Sequence, residues 1–293
     1  MSGYVSGLLI LVGINIIAVL GVSILTGFTR LFSFGNAGFM AIGAYTAGIL
    51  SSRFGVPFIP ALIAGALMAG LISLALGKLT LGLKGDYFLI ATLGFGESLR
   101  VLIENIEITG GARGLANIPP RTTLLVVWVS VVIAIIGAWN FLHSKYGRNL
   151  MAIREQEMAA DAVGIDTAKF KTLAFMISAI YAGWAGGLFS HYYTFISPIS
   201  FALSKSAELT ITVVVGGLGS LTGSIIATIL LTLLPELLRA ASVYRMLFYG
   251  IAVVLIVTLR PNGLLGYREF SWEWIKRLIA PKSGSSIEKG DAS

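Results

Sequence analysis

Residues 206–238 read SAELTITVVVGGLGSLTGSIIATILLTLLPELL, a run too apolar for a water-facing surface and too long and glycine-broken for one helix. A helix crosses the hydrocarbon core in about 20 apolar residues, so this run is read as two short helices around Gly216, Gly217, Gly219 and Gly223. Working outward, nearly uncharged stretches of crossing length fall near 4–26, 34–52, 58–77, 87–104, 122–141, 171–191 and 244–259. The first lacks a basic leader and is followed by further spans, so it reads as a membrane helix rather than a cleaved signal peptide.

Composition points the same way. Of 293 residues 56% are hydrophobic and 12% charged, with a mean hydropathy of +0.87. A soluble domain carries about 25% charged residues, so an ordinary cytosolic enzyme is excluded. The net charge of +7 sits between apolar runs rather than on one face, which fits membrane topology better than a nucleic-acid partner. With no cysteine and two histidines, disulfides and thiolate metal sites are excluded and no metal site is expected.

Lys and Arg in short loops favour the cytoplasmic side. The loop at 142–170 holds Lys145, Arg148, Arg154 and Lys169, and counting back puts Arg30, Lys78 and Lys84 on that side too. The C-terminal Arg260, Arg268, Lys276, Arg277, Lys282 and Lys289 join them if residues 206–238 enter and leave from the outer side. The N-terminus is then outside and the C-terminus cytoplasmic. Two readings fit the broken run: a re-entrant pair of half-helices lining a substrate path, or two short complete spans joined by a surface loop. The fold expected is an all-α polytopic membrane protein of about eight membrane segments plus a re-entrant glycine-rich broken helix pair. Residues 1–266 form the membrane domain, 267–280 an amphipathic interfacial helix, and 281–293 a disordered cytoplasmic tail.

Many of the 35 glycines lie at small-xxx-small spacing, as in Ala44/Gly48, Ala66/Gly70, Ala182/Gly186 and Gly183/Gly187, which reads as helix packing. Glu97 and Arg100, three apart on one helix face, can pair as a structural lock or line a path. Lys205, Glu208 and Glu236 fall near span ends and read as topological. No nucleotide-binding P-loop is present: near Gly77-Lys78, Ile72 holds the first glycine position and Leu79 the hydroxyl position. His143 and His191 have no paired nucleophile, so catalysis by this chain is not expected.

Within 142–170, residues 148–165 read as one short helix on which Leu150, Ile153, Glu157, Ala160 and Gly164 recur at three and four. Such a stripe suits either insertion into a partner's cleft or rest on the inner leaflet.

The segment Glu157-Met158-Ala159-Ala160-Asp161-Ala162-Val163-Gly164 resembles the Glu-Ala-Ala…Gly coupling motif of ABC-importer permeases, with Met158 where alanine is usual. Tyr146-Gly147-Arg148 and Ala152-Ile153-Arg154-Glu155 resemble the same loop in branched-chain amino acid permeases. So do Phe32-Ser33-Phe34-Gly35-Asn36-Ala37-Gly38-Phe39, Thr92-Leu93-Gly94-Phe95-Gly96-Glu97, Thr109-Gly110-Gly111-Ala112-Arg113-Gly114-Leu115, the broken glycine region, and Arg260-Pro261-Asn262-Gly263-Leu264-Leu265-Gly266.

The resemblance implies a five-part importer: this permease, a second related permease, two cytoplasmic ATP-binding subunits that use ATP and magnesium, and a periplasmic or extracellular amino-acid binding protein. This chain would hold no cofactor and sit in a bacterial-type cytoplasmic membrane. Arg154, Glu157, Ala160 and Gly164 would couple to the ATPase, and the cargo would be a branched-chain amino acid, with urea or short amides as alternatives. Candidates for the translocation path are Asn36, Thr92, Gly94, Gly96, Glu97, Ser98, Gly217 and Ser220, each of which also reads as packing. An ion-coupled carrier would show charged groups at the midplane, and the sequence offers little there apart from Glu97 and Arg100.

Overall fold

The computed structural model describes residues 3–83 and 86–237, together with 250, 251, 253–255, 258–260, 263, 264 and 266. The interfacial helix expected at 267–280 and the tail at 281–293 lie outside the described residues, as does most of the last span, 244–259. Among the described residues the structure is helical, apart from an isolated antiparallel bridge between Leu115 and Ile196.

The helices are α1 (Gly3–Val22), α2 (Asn36–Arg53), α3 (Phe58–Thr80), α4 (Asp86–Asn105), α5 (Leu124–His143), α6 (Lys145–Glu155), α7 (Glu157–Ala162), α8 (Thr167–Tyr193), α9 (Leu203–Gly216) and α10 (Leu221–Leu237). A π-helical turn at Ser23–Gly27 extends α1. Among the described residues, five helical stretches are long and apolar enough to cross a membrane: Gly3–Gly27, Phe58–Thr80, Leu124–His143, Thr167–Tyr193 and Pro198–Gly216. Helix α2 falls outside that set because it is an interior helix, with small and polar residues buried among its neighbours, and needs no apolar lipid face. Helix α4 falls outside it because Asp86, Glu97, Arg100 and Glu104 interrupt its apolar run.

Burial sorts the helices. Helix α1 is the central post, covered along most of its length, whereas α5 turns Leu125, Val129, Val132, Ile133 and Ile136 outward as an apolar wall. Helices α2, α3 and α8 cross through small residues: a Cβ on Gly43 would collide with the backbone of Gly183, and one on Gly183 would press on Ala66 and Ala69. Close backbone approach gains dispersion contacts where lipid gives no hydrophobic force between helices. Phe39 of α2 meets Phe175 of α8 edge to face, and Phe175 meets Phe88 of α4 likewise, filling the core between the three.

The broken stretch folds as α9 and α10, packed against each other and against α1. Their turn at residues 217–220 lies beside Gly27 and Arg154, at the end of the bundle that carries α6 and α7. It is therefore a turn at the coupling end, where α9 and α10 meet, rather than a break at mid-depth. The glycines serve the tight reversal: Gly217 and Gly219 have φ of +115° and +97°, values that a side chain disfavours. At that same end Leu264 donates its N–H to the Val215 carbonyl at 2.9 Å, which puts the 260–266 motif beside the coupling loop.

Candidate translocation site and coupling elements

The entry to α2 is built from hydroxyls and one amide. Asn36 donates to the Ser33 carbonyl at 2.9 Å and accepts from Ser178 of α8 at 3.4 Å. Thr92 of α4 accepts the Phe34 N–H at 3.2 Å and donates to the Leu89 carbonyl at 3.0 Å. Ser206 of α9 accepts the Ala37 N–H at 2.9 Å, and Thr210 donates back to the Ser206 carbonyl at 2.9 Å. All six side chains are buried. With these bonds made, the cluster fixes α2, α4, α8 and α9 in register. Asn36 and Thr92 are therefore engaged in holding helices together. Ser178, Ser206 and Thr210 escaped the sequence reading because an isolated Ser or Thr in an apolar helix carries no spacing signal.

The remaining path candidates do not converge. Gly96 packs toward the Phe34 carbonyl, and with Glu97 it borders a crevice between α2, α4 and the start of α9 that is too narrow to admit a water molecule. Gly94 and Ser98 are exposed on α4. Gly217 and Ser220 lie at the far end of α9, whose 14 residues span about 21 Å. Ser220 is fully buried and accepts the Gly223 N–H at 3.0 Å, capping the start of α10.

The membrane-depth charges correct the sequence reading. Lys205 and Glu208 are not at a membrane boundary: Lys205 donates to Glu208 at 3.1 Å and to Asn15, halfway along the first span, at 3.1 Å. Asn15 in turn donates to Thr232 of α10 at 3.3 Å. One polar group thus ties α1, α9 and α10 together, and Asn15, a lone amide in an apolar helix, was its legible signal. On α4, Arg100 bridges Glu97 at 2.9 Å and Glu104 at 2.6 Å, and Glu97 also accepts the Leu203 N–H at 3.1 Å.

At the other end, the helix expected over 148–165 is two helices, because Gln156 is extended (φ −155°, ψ 105°). Leu150, Ile153 and Ala160 of the expected docking stripe face inward and are buried. The surface that faces away from the chain carries Glu155, Met158, Ala159, Ala162 and Val163 instead, with Met158 82% exposed. Glu157 opens α7 and pairs with Lys171 of α8 at 2.5 Å. Gly164 ends α7 at φ +85°, with its N–H on the Asp161 carbonyl at 2.9 Å.

Arg154 points inward. Its Nη1 donates to the Gly27 carbonyl at 3.3 Å, and it lies against Gly219 so closely that a Cβ there would collide with the guanidinium. Its Nη2 pairs with Glu155 at 2.9 Å. Glu155 is held below the usual carboxylate range, first by the hydrogen bond from Arg154, then by that residue's charge and the more distant charge of Arg30.

The family model described as the permease component of branched-chain amino acid transport systems matches residues 4–258. The chain is 37% identical over 287 residues, 86% of its own length and 68% of the relative's, to the high-affinity branched-chain amino acid permease LivM of Escherichia coli. It is 30% identical over 152 residues, half of each chain, to LivH of the same organism. A probable LivH of Methanocaldococcus jannaschii matches at 27% over 94% of both chains. No solved structure matches.

Proposed function

The chain belongs to the permease-component family of branched-chain amino acid transport systems, and from that premise we propose that it is one membrane-spanning permease subunit of an ATP-driven importer for these amino acids. It forms half of the translocation path, and a related permease of the LivH kind forms the other half. One of two ATP-binding subunits docks on α6 and α7, the two together consuming the ATP and magnesium that this chain has no motif to bind, and a binding protein delivers the cargo at the opposite face. The Lys/Arg bias sets α6, α7 and the C-terminal segment in the cytoplasm and the N-terminus outside.

The observation that carries this reading is the contact of Arg154 with Gly27 and Gly219. A helix outside the membrane is latched to the ends of α1 and of the α9–α10 turn, the same elements joined at mid-depth by Asn15, Lys205 and Thr232. Movement imposed on α6 is thereby passed to helices that reach the membrane centre. The outward surface around Met158 and Val163, together with Glu157 and Gly164, is the part left to meet an ATPase.

The test is co-purification of the tagged chain in mild detergent, mass identification of what stays bound, and leucine uptake after reconstitution with ATP. Two nucleotide-binding subunits, a second permease and ATP-dependent leucine uptake are expected. The mid-depth Lys205–Glu208 pair is what an ion-coupled carrier would also need, so uptake driven by an ion gradient by a chain that purifies alone would replace the importer reading.

A further inference from the structure

Lys205 and Glu208 pair along one face of α9, and a separate set on α4, Glu97, Arg100 and Glu104, reaches the start of that helix where Glu97 accepts the Leu203 N–H. Asn15, bonded to Lys205, has about 18 Å of helix on either side of it within Gly3–Gly27, so the Lys205–Glu208 pair lies near mid-membrane. Yet 43% of the Glu208 side chain remains open. Ions at that depth do not face lipid; they face protein or a water-filled path.

The charges also have a particular order. Lys205 already holds the Glu208 carboxylate, so the pair is neutral as a whole. An incoming group of one sign would strand its opposite number unpaired. A molecule carrying both signs a few ångströms apart can exchange partners with the Lys205–Glu208 pair at constant net charge, which suits brief passage better than retention. Resting on the importer reading above, we infer that this face of α9 lines the water-filled path and receives the charged head of a zwitterionic α-amino acid, with Glu208 taking the ammonium and Lys205 the carboxylate.

The chain has no cysteine, so a single introduced thiol reports on it cleanly. Ser204, exposed one turn before Glu208, is the reporter that leaves every named charge in place, and Ile133, on the outward wall of α5, is the lipid-side control. In the assembled importer, a charged methanethiosulfonate should label Ser204→Cys and leave Ile133→Cys unmodified. Leucine-loaded binding protein with ATP should slow labelling at Ser204→Cys, about tenfold at 90% occupancy. The isosteric Glu208→Gln should assemble normally, keep ATP hydrolysis stimulated by the loaded binding protein, and lose about tenfold in leucine uptake, the loss of one charged contact. A Ser204→Cys thiol as inert as Ile133→Cys, labelling that leucine does not slow, or full uptake by Glu208→Gln would each overturn the head-group assignment while wild-type uptake stands. Absence of ATP-driven leucine uptake by the wild-type complex would overturn the importer reading as well.

Discussion

The Ser206 hydroxyl accepts the Ala37 N–H at 2.9 Å, so the first turn of α2 is satisfied by a side chain 169 residues away on α9. A helix start leaves N–H groups without intrahelical partners, and here water is absent because both groups are buried. Ser206→Ala leaves that donor orphaned at a cost of about 1–3 kcal/mol. The thermal midpoint of the purified complex should fall, while Ser204→Ala, two residues away and exposed, should leave it unchanged. Equal midpoints for the two variants would remove Ser206 from the list of structural residues.

The crossing of α2 with α8 makes a steric prediction. A methyl group on Gly43 would drive into the Gly183 carbonyl, backbone against backbone, where no rotamer change gives relief. Gly43→Ala should therefore destabilise by about 1–3 kcal/mol, the usual cost of overpacking. Gly94→Ala, with open space at its Cβ position, should be silent. Comparing the yields of folded, monodisperse protein checks both.

These two predictions mark what the sequence made legible. The places of the helices among the described residues, and the small-residue crossings, could be read because period, length and glycine spacing are local properties; Ala66, Ala69 and Gly183 do meet. The site was less legible. Lys205 was placed at a span boundary because its partner, Asn15, lies 190 residues away, and only the folded chain shows that α9 starts at the depth of α1's middle. The α6–α7 stripe divides, Glu157 and Gly164 staying exposed while the rest turns inward: 3.6-residue periodicity reports that one face is apolar, not whether it turns toward a partner or its own bundle. Leu150 and Ile153 turn toward the bundle.

Glu155 gives a pH prediction with a definite sign. Its lowered pKa means that the pair with Arg154 is fully in place above the ordinary carboxylate pKa of about 4.3 and is lost as pH falls through the lowered value. Carbon-13 detection of the Glu155 carboxyl in the solubilised chain should show a midpoint below that of an ordinary glutamate. Arg154→Gln should return it toward the ordinary value. A wild-type midpoint at or above the ordinary one would mean that the Arg154 contact is not formed in solution.

Docking and transmission separate on α6 and α7. Met158 faces outward at 82% exposure, and Gly164 occupies a φ of +85° that costs a side chain about 1–2 kcal/mol. Met158→Asp and Gly164→Trp should therefore weaken retention of the ATPase subunits during purification. Arg154 instead faces inward, 14% exposed, with its guanidinium on the Gly27 carbonyl and against Gly219. Arg154→Ala should keep the ATPase bound and hydrolysing while leucine uptake drops about tenfold, the rate equivalent of about 1.4 kcal/mol. Gly219→Ala, which forces the guanidinium aside, should do the same. Loss of the ATPase from Arg154→Ala would make this arginine a docking residue; unchanged uptake would mean that α6 moves α1 and the α9–α10 turn through other contacts.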